Sequence, residues 1–79
     1  MDELSIGSMF GINAGIVWKA LNDNGPSTIE NLVETTSLSR EEVFGALGWL
    51  GRENKICIEM QRKARGRAAR VFSLRQSEI

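Results

Sequence analysis

Histidine and tyrosine are absent from this 79-residue chain, and cysteine and proline each occur once. Without histidine, the chain lacks the commonest general base and the commonest metal ligand in proteins. The single Cys57 excludes an internal disulfide and a zinc site built from cysteines, and it favours a reducing compartment. A lone strand cysteine is ordinarily a packing residue. These absences argue against an enzyme and against a metal or cofactor site.

Long apolar runs are also missing. No stretch approaches the roughly 20 residues that span a bilayer. The acidic amino terminus (Asp2, Glu3) lacks the basic and apolar regions of a signal peptide. We therefore expect a cytoplasmic protein with no membrane contact and no evident small-molecule ligand. Its 42% hydrophobic residues are typical of globular proteins, so we expect one domain over 1–79 with a core from about 8 to 75.

The formal net charge of zero conceals an uneven distribution. Residues 1–61 hold four bases against nine acids, a net charge of −5. Residues 62–79 hold six bases against one acid, a net charge of +5. This excess of base indicates either an anionic partner for the last quarter of the chain or a hairpin kept soluble by its charges.

The first helix is predicted from about Ser8 to Asn24, where Asn24 and Gly25 suit a left-handed cap. Its core-facing stripe is Phe10, Ala14, Val17, Trp18 and Leu21. A second apolar stripe on nearly the opposite side is Met9, Ile12, Ile16 and Ala20. Because a domain this small has only one core, the second stripe predicts a partner surface, most simply in a homodimer. The alternative is that a terminal segment of the chain covers it.

Two further helices are predicted, separated by a short turn at residues 35–37. Ser27 and Glu30 form a capping-box pattern before the second helix, which spans about Thr28 to Glu34. Ser39 and Glu42 form the same pattern at the start of a helical stretch from Ser39 to Asn54. The third helix turns its apolar stripe inward through Val43, Ala46, Leu47 and Leu50. Two capped helices joined by a turn are typical of a helix-turn-helix.

After Asn54 the apolar period changes from helical to two, which predicts a hairpin. Ile56, Ile58 and Met60 are expected to face inward on the first strand, and Phe72 and Leu74 on the returning strand over 71–75. A basic turn over 62–67 joins the strands. Three helices followed by a two-stranded hairpin predict an α+β winged helix-turn-helix fold, whose third helix is the one offered to the DNA major groove.

Two tryptophan-containing runs carry a family resemblance. They are Ala14-Gly15-x-Val17-Trp18 in the first helix and Ala46-Leu47-Gly48-Trp49-Leu50 in the third. In these runs the chain resembles a small bacterial winged-helix family of no assigned function, over about Ile12 to Leu74. The resemblance implies the fold and a DNA-binding ancestry, and it implies no ligand, operator or catalytic residue.

The basic hairpin tip predicts double-stranded DNA as a partner. Its candidate phosphate contacts are Arg62, Lys63, Arg65, Arg67 and Arg70. Arg40 and Arg52 on the third helix can add to them, but Glu41 and Glu42 in its first turn repel phosphates. We therefore predict weakly sequence-specific binding led by the wing. The alternative for these arginines is a solvated turn.

A protein-interaction module is the alternative function. Three glycines within seven residues of the third helix cost helix stability, and two of them, Gly45 and Gly48, are predicted to lie outward beside Trp49. A surface with few side chains suits close approach by another helix. The candidate interface is Met9, Ile12, Ile16 and Trp49. Trp18 is assigned to the core, whereas Trp49 fits either the core or the surface.

Overall fold

A computed structural model describes residues 6–62, 66 and 68–75. It contains three helices followed by two strands, as predicted. These are α1 (Ile6–Asn24), α2 (Ile29–Thr36), α3 (Arg40–Arg52), β1 (Ile56–Arg62) and β2 (Ala68–Leu74). The two strands pair antiparallel as a hairpin, which we call the wing, with Ile58 opposite Phe72. The predicted winged helix-turn-helix fold is therefore confirmed.

The end of α1 follows the predicted cap. Gly25 has a φ of +77°, in the left-handed region that favours glycine, and its N–H donates to the Leu21 carbonyl at 2.8 Å. The helix begins at Ile6, two residues before the predicted start at Ser8. The glycine turns the chain toward α2.

The cap of α2 is one residue later than predicted. The Thr28 hydroxyl, not that of Ser27, accepts the hydrogen bond from the Asn31 N–H at 3.1 Å. Ser27 is instead buried and forms a two-way backbone bridge to β2. Its N–H donates to the Phe72 carbonyl at 2.9 Å, and its carbonyl accepts from the Phe72 N–H at 2.8 Å. Ser27 is therefore extended backbone at the edge of the wing, which leaves the capping role to Thr28.

The capping box of α3 is present as predicted. The Ser39 hydroxyl accepts from the Glu42 N–H at 3.1 Å, and the Glu42 carboxylate accepts from the Ser39 N–H at 2.9 Å. The two bonds satisfy donors that a helix start leaves without a partner. They fix where α3 begins and therefore which of its residues face the core.

One core joins all three helices to the wing. Its fully buried members include Val17 and Leu21 of α1, Leu32 of α2 and Val43 of α3. Phe72 of β2 closes it from the sheet side. The predicted inward residues of α3 are all buried. Hydrophobic burial on one stripe of each helix thus produces the packing that the apolar spacing predicted.

Three side chains on α1 and β2 depart from the predicted pattern. Trp18, assigned to the core, is 41% exposed, whereas Ala20, assigned to the outer stripe, is buried. The core-facing stripe of α1 is thus rotated toward Ala20, which leaves Trp18 at its margin. Val71, predicted to face away from the core, is also buried, although it lies outside the main core cluster.

Two residues of β1 expected to face inward are exposed. Ile58 is 58% exposed and Met60 is 62% exposed, although the cross-strand partner of Ile58, Phe72, is buried. Ile56, nearer α3, does pack against the core. The sheet face that meets the helices therefore continues beyond the area that they cover, and strand alternation cannot show where that cover ends.

Gly45 is not part of an outward surface. It packs against Phe10 of α1, and a Cβ atom at position 45 would lie 2.6 Å from Cε1 of that ring. Phe10 in turn stacks on Trp49, with ring centroids 6.5 Å apart, and Trp49 is half-buried against the core. Gly48, in contrast, is exposed and faces open space. The prediction for Gly45 was wrong because its close approach is to another helix of the same chain.

Candidate nucleic-acid interface

The wing carries two of the predicted phosphate contacts within its described strands. Arg62 is the last residue of β1 and lies opposite Ala68, and Arg70 lies opposite Met60. The returning strand begins at Ala68 and not at Val71, so it includes Arg70, and Arg62, predicted to begin the basic turn, belongs to β1. Lys63, Arg65 and Arg67 lie outside the described residues. The hairpin thus holds Arg62 and Arg70 close to the turn that the sequence makes basic.

Arg40 of α3 and Arg70 of β2 line the same groove. The groove has a volume of about 530 Å³ and lies between the start of α2, the start of α3 and β2. The remaining groove residues are Thr28, Ile29, Glu30, Asn31, Phe44, Ala68 and Ala69. Side chains from the helix-turn-helix and the wing therefore meet at one surface, which we call the polar groove.

Arg40 is held by two neighbours in the polar groove. Its guanidinium lies 3.6 Å from the Glu30 carboxylate and 5.6 Å from the ring centroid of Phe44. Because the ion pair is largely exposed, it contributes little to stability and is weakened by salt. The cation over the aromatic ring adds a second weak attraction. Arg40 is therefore oriented toward Phe44 without being withdrawn from water.

Arg52 is not brought together with the other candidate cations of α3. It is exposed in the last turn of the helix, whereas Arg40 occupies the first position. They are twelve positions apart in the helix, which separates them by about 18 Å along the axis. A basic stripe along α3 is therefore absent from the described part of the chain.

Two glutamates near the start of α2 and α3 are held in their charged form. The pKa of Glu42 is lowered chiefly by the hydrogen bond from the Ser39 N–H, then by the Ser39 hydroxyl, with a smaller contribution from the Asn13 side chain. The pKa of Glu30 is lowered chiefly by a backbone hydrogen bond at Glu30 itself and then by Arg40. These carboxylates remain anionic at neutral pH, and they disfavour phosphate close to the start of either helix.

Phe44 is an exposed aromatic residue that the sequence interpretation missed. It is 46% exposed and contributes to the polar groove and to a neighbouring groove of about 540 Å³. This second surface, the apolar groove, lies between α3 and the wing; it is lined by Phe44, Leu47, Gly48, Gly51, Ile56, Ile58, Arg70 and Phe72. Helical geometry could have revealed Phe44, because it lies about 100° around the helix from the buried Val43.

The residues of the predicted protein interface lie at two separate places in the structure. Met9, Ile12 and Ile16 are exposed along one side of α1, as predicted. Trp49 does not join them. It lies with Trp18, Gly11 and Gly15 around a separate groove of about 350 Å³ between α1 and α3. We call the Met9, Ile12 and Ile16 surface the α1 face.

The comparisons with known proteins settle the family. The profile of a family described as winged helix-turn-helix domain (DUF2582) matches residues 1–68, most of the chain. The chain belongs to this family. Among curated protein sequences, none matches the chain significantly.

Three solved structures resemble this DUF2582 domain. Protein BT2368 from Bacteroides thetaiotaomicron, solved by solution NMR, is 41% identical, with 84% of this chain and 77% of that protein covered and a TM-score of 0.68. Stf76 from the Sulfolobus islandicus plasmid-virus pSSVx is 24% identical, with 84% of both chains covered and a TM-score of 0.72. The Zalpha domain of PKZ from Carassius auratus, solved in complex with Z-DNA, is 18% identical, with 84% of this chain and 97% of that chain covered and a TM-score of 0.67. At such identities, the last two similarities establish the fold.

The described residues of the DUF2582 domain hold neither a candidate metal site nor a membrane-spanning helix. Within the described residues, cysteine and carboxylate side chains do not assemble in groups of three or more that could hold a metal ion. None of the three helices, over the range that the structure covers, is long and apolar enough to cross a bilayer.

Proposed function

We propose that this winged-helix domain binds double-stranded DNA through its wing, with weak sequence specificity, in a transcription-regulator-like role. The observation that carries the proposal is the position of Arg62 and Arg70 on paired strands beside a turn whose sequence adds Lys63, Arg65 and Arg67. Cations at a wing tip can follow the phosphate backbone or enter the minor groove. The Z-DNA complex of a domain with this fold supports the proposal at the level of the fold.

The composition of α3 supports phosphate contact by the wing over base reading by the helix. Direct reading in the major groove uses arginine, lysine, asparagine or glutamine near the start of the helix. Here the first turn holds Glu41 and Glu42, and Arg40 is paired with Glu30. Phosphate contacts position a protein on DNA but do not read its sequence. Because the wing contacts phosphates and the start of α3 offers only the paired Arg40 for base reading, we expect weak sequence specificity.

The proposal is tested by fluorescence anisotropy with a labelled random-sequence duplex over a series of salt concentrations. Each phosphate neutralised by a cation gives about −0.9 in the slope of log K against log salt for B-DNA. We expect a clearly negative slope for the wild type. The Arg62→Glu/Arg70→Glu variant is expected to bind much more weakly and with a shallower slope.

A matched control gives a variant with the same net charge as the wing variant. Lys19→Glu/Lys55→Glu makes the same change in charge at exposed positions on α1 and immediately before β1. This control is expected to retain more affinity than the wing variant. Equal losses in the two variants would indicate a general charge effect, and no binding by the wild type at low salt would refute DNA binding.

The exposure of the α1 face favours a second candidate function, an interaction module that forms a homodimer. Met9, Ile12 and Ile16 are 41%, 57% and 40% exposed, respectively, and they lie at helical spacing on one side of α1. A contiguous apolar stripe of this kind is typical of a helix that packs against a partner. Homodimer formation through this face is compatible with DNA binding by the wing.

A further inference from the structure

Phe44 is an exposed aromatic residue that lies between two grooves. It contributes to the polar groove on the side of α2 and to the apolar groove on the side of the wing. With 46% of its surface accessible, its ring is available to a ligand while α3 fixes its backbone. An exposed aromatic side chain on a rigid helix is a stacking platform that needs little ordering on binding.

One cation lies over this ring, and a second lines the same two grooves. Arg40 places its guanidinium 5.6 Å from the ring centroid, and Arg70 lines both grooves. A guanidinium group can stack on a planar base or donate hydrogen bonds to a phosphate. Cations beside an aromatic platform are the combination that proteins use to bind single-stranded nucleic acid.

The floor and far wall of the apolar groove are suited to a flat, partly apolar group. Gly48 and Gly51 leave open space where side chains would otherwise extend from α3. Ile58, which is 58% exposed, forms part of the opposite wall on β1. The groove of about 540 Å³ is open to solvent and has Arg70 at its edge. A nucleobase has a flat apolar face and carries an anionic phosphate nearby.

From this arrangement we infer that the domain binds single-stranded DNA at Phe44, with an unpaired base stacked on the ring and adjacent phosphates on Arg40 and Arg70. The inference rests on the proposed DNA-binding function and extends it to a second contact mode. The base enters the apolar groove over Gly48, while the backbone follows the polar groove. A duplex cannot use this contact without unpairing, because its base faces are already stacked.

Single-stranded DNA fits the site better than an apolar peptide or helix does. A purely apolar partner gains nothing from the two arginines beside Phe44, whereas a polyanion gains attraction from both. Glu30 opposes such a ligand, since its carboxylate lies 3.6 Å from Arg40. Glu30→Gln is therefore expected to tighten binding of single-stranded DNA. Binding of a basic peptide would instead be weakened by Glu30→Gln, because the variant removes a negative charge.

The test measures the anisotropy of a labelled 12-nucleotide oligothymidine and of a duplex of equal length, with circular dichroism as a check of folding. Phe44→Ala is expected to weaken oligothymidine binding by about 5- to 150-fold, the range that corresponds to base–aromatic stacking. Phe44→Trp is expected to retain binding, because it keeps an aromatic ring. Trp18→Ala, which removes an aromatic residue of similar exposure on α1, is the matched control and is expected to change little.

The outcomes separate this inference from the proposed function. Loss of oligothymidine binding in Phe44→Ala with duplex binding retained supports the inference. The inference is overturned if Phe44→Ala leaves oligothymidine binding unchanged. If duplex binding still depends on Arg62 and Arg70, the proposed function remains intact. A wild type that binds neither the oligothymidine nor the duplex refutes both the inference and the proposed function. Weaker oligothymidine binding in Glu30→Gln also contradicts the inference.

Discussion

Gly45 of α3 and Phe10 of α1 pack so closely that a Cβ atom at position 45 would lie 2.6 Å from Cε1 of the phenylalanine. Phe10 is constrained on another side by its stacking on Trp49. The glycine therefore permits the approach of the two longest helices of the described chain. This contact explains a residue that helix propensity alone disfavours.

Alanine substitutions at Gly45 and Gly48 are expected to change stability in opposite directions. Replacing a helical glycine by alanine gains about 0.5–1 kcal/mol where space allows, as it does at Gly48. At Gly45 the new methyl group overlaps Phe10, and overpacking costs roughly 1–3 kcal/mol. We expect Gly45→Ala to lower the free energy of unfolding by about 1 kcal/mol and Gly48→Ala to raise it by a similar amount.

Chemical denaturation followed by circular dichroism measures both values. The Phe10→Ala background is the control, because Gly45→Ala should cease to be destabilising once the ring is removed. Stabilisation by Gly45→Ala in the presence of Phe10 would contradict the packing argument.

The capping box predicts a loss of stability in acid. Because the folded-state pKa of Glu42 is lowered, mainly by the Ser39 N–H, its contribution is fully present above the unfolded pKa. That contribution is lost as the pH falls through the lower folded value. Thermal unfolding from about pH 6 to about pH 3 should therefore show a shallower decline for Glu42→Gln than for the wild type. Equal declines in the two proteins would count against this assignment.

The serine of the same capping box has a separate effect. Ser39→Ala removes the hydroxyl that accepts from the Glu42 N–H at 3.1 Å. We expect it to lower the free energy of unfolding by about 1 kcal/mol at neutral pH. Urea unfolding measures this loss, and an unchanged free energy of unfolding in Ser39→Ala would contradict the capping role of the hydroxyl.

The bridge between Ser27 and Phe72 should depend on the backbone of Ser27 more than on its side chain. Ser27→Pro removes the N–H that donates to the Phe72 carbonyl at 2.9 Å and leaves a buried acceptor without its partner. We expect a cost of about 1–3 kcal/mol. Ser27→Ala keeps the bridge and loses only the hydroxyl bond to the Gly25 carbonyl, so its cost should be smaller. Urea unfolding distinguishes the two, and equal costs would contradict the importance of the bridge.

The difference between Ser27 and Thr28 shows what local sequence could predict. Both residues can cap a helix, and only Ser27 is followed three residues later by a glutamate, Glu30, as in a capping box. The selection of Thr28 depends on Phe72, which is remote in sequence and pairs with the Ser27 backbone. In contrast, the two hydrogen bonds of the capping box join Ser39 and Glu42 to each other, three residues apart, and this box was predicted correctly.

The errors on apolar residues have a related cause. Periodicity indicates which side of an element is apolar, but not how far the neighbouring elements extend over it. Ile58 and Met60 lie on the predicted face of β1, yet they project beyond the cover of α3. Trp18 likewise lies at the edge of the packed stripe of α1. The proximity of Phe44 to Arg70 in the candidate site was not predictable from the sequence either, because only the tertiary structure brings α3 and the wing together.

The α1 face predicts a concentration-dependent homodimer. Sedimentation equilibrium should detect it in the wild type, and Ile12→Glu/Ile16→Glu should be monomeric because the charges cannot be buried without partners. Since both isoleucines are exposed, the fold of the variant should remain intact by circular dichroism. A monomeric wild type at high concentration would refute dimer formation through this face.

The central claim, that the wing contacts DNA, is tested most directly by NMR of the ¹⁵N-labelled protein titrated with a short duplex at low salt. We predict the largest amide chemical-shift changes at Arg62, Arg70 and their strand neighbours, with little change at Ile12 and Ile16. These changes should diminish as salt is added. Changes concentrated on α1, or a spectrum unaffected by DNA, would contradict the account.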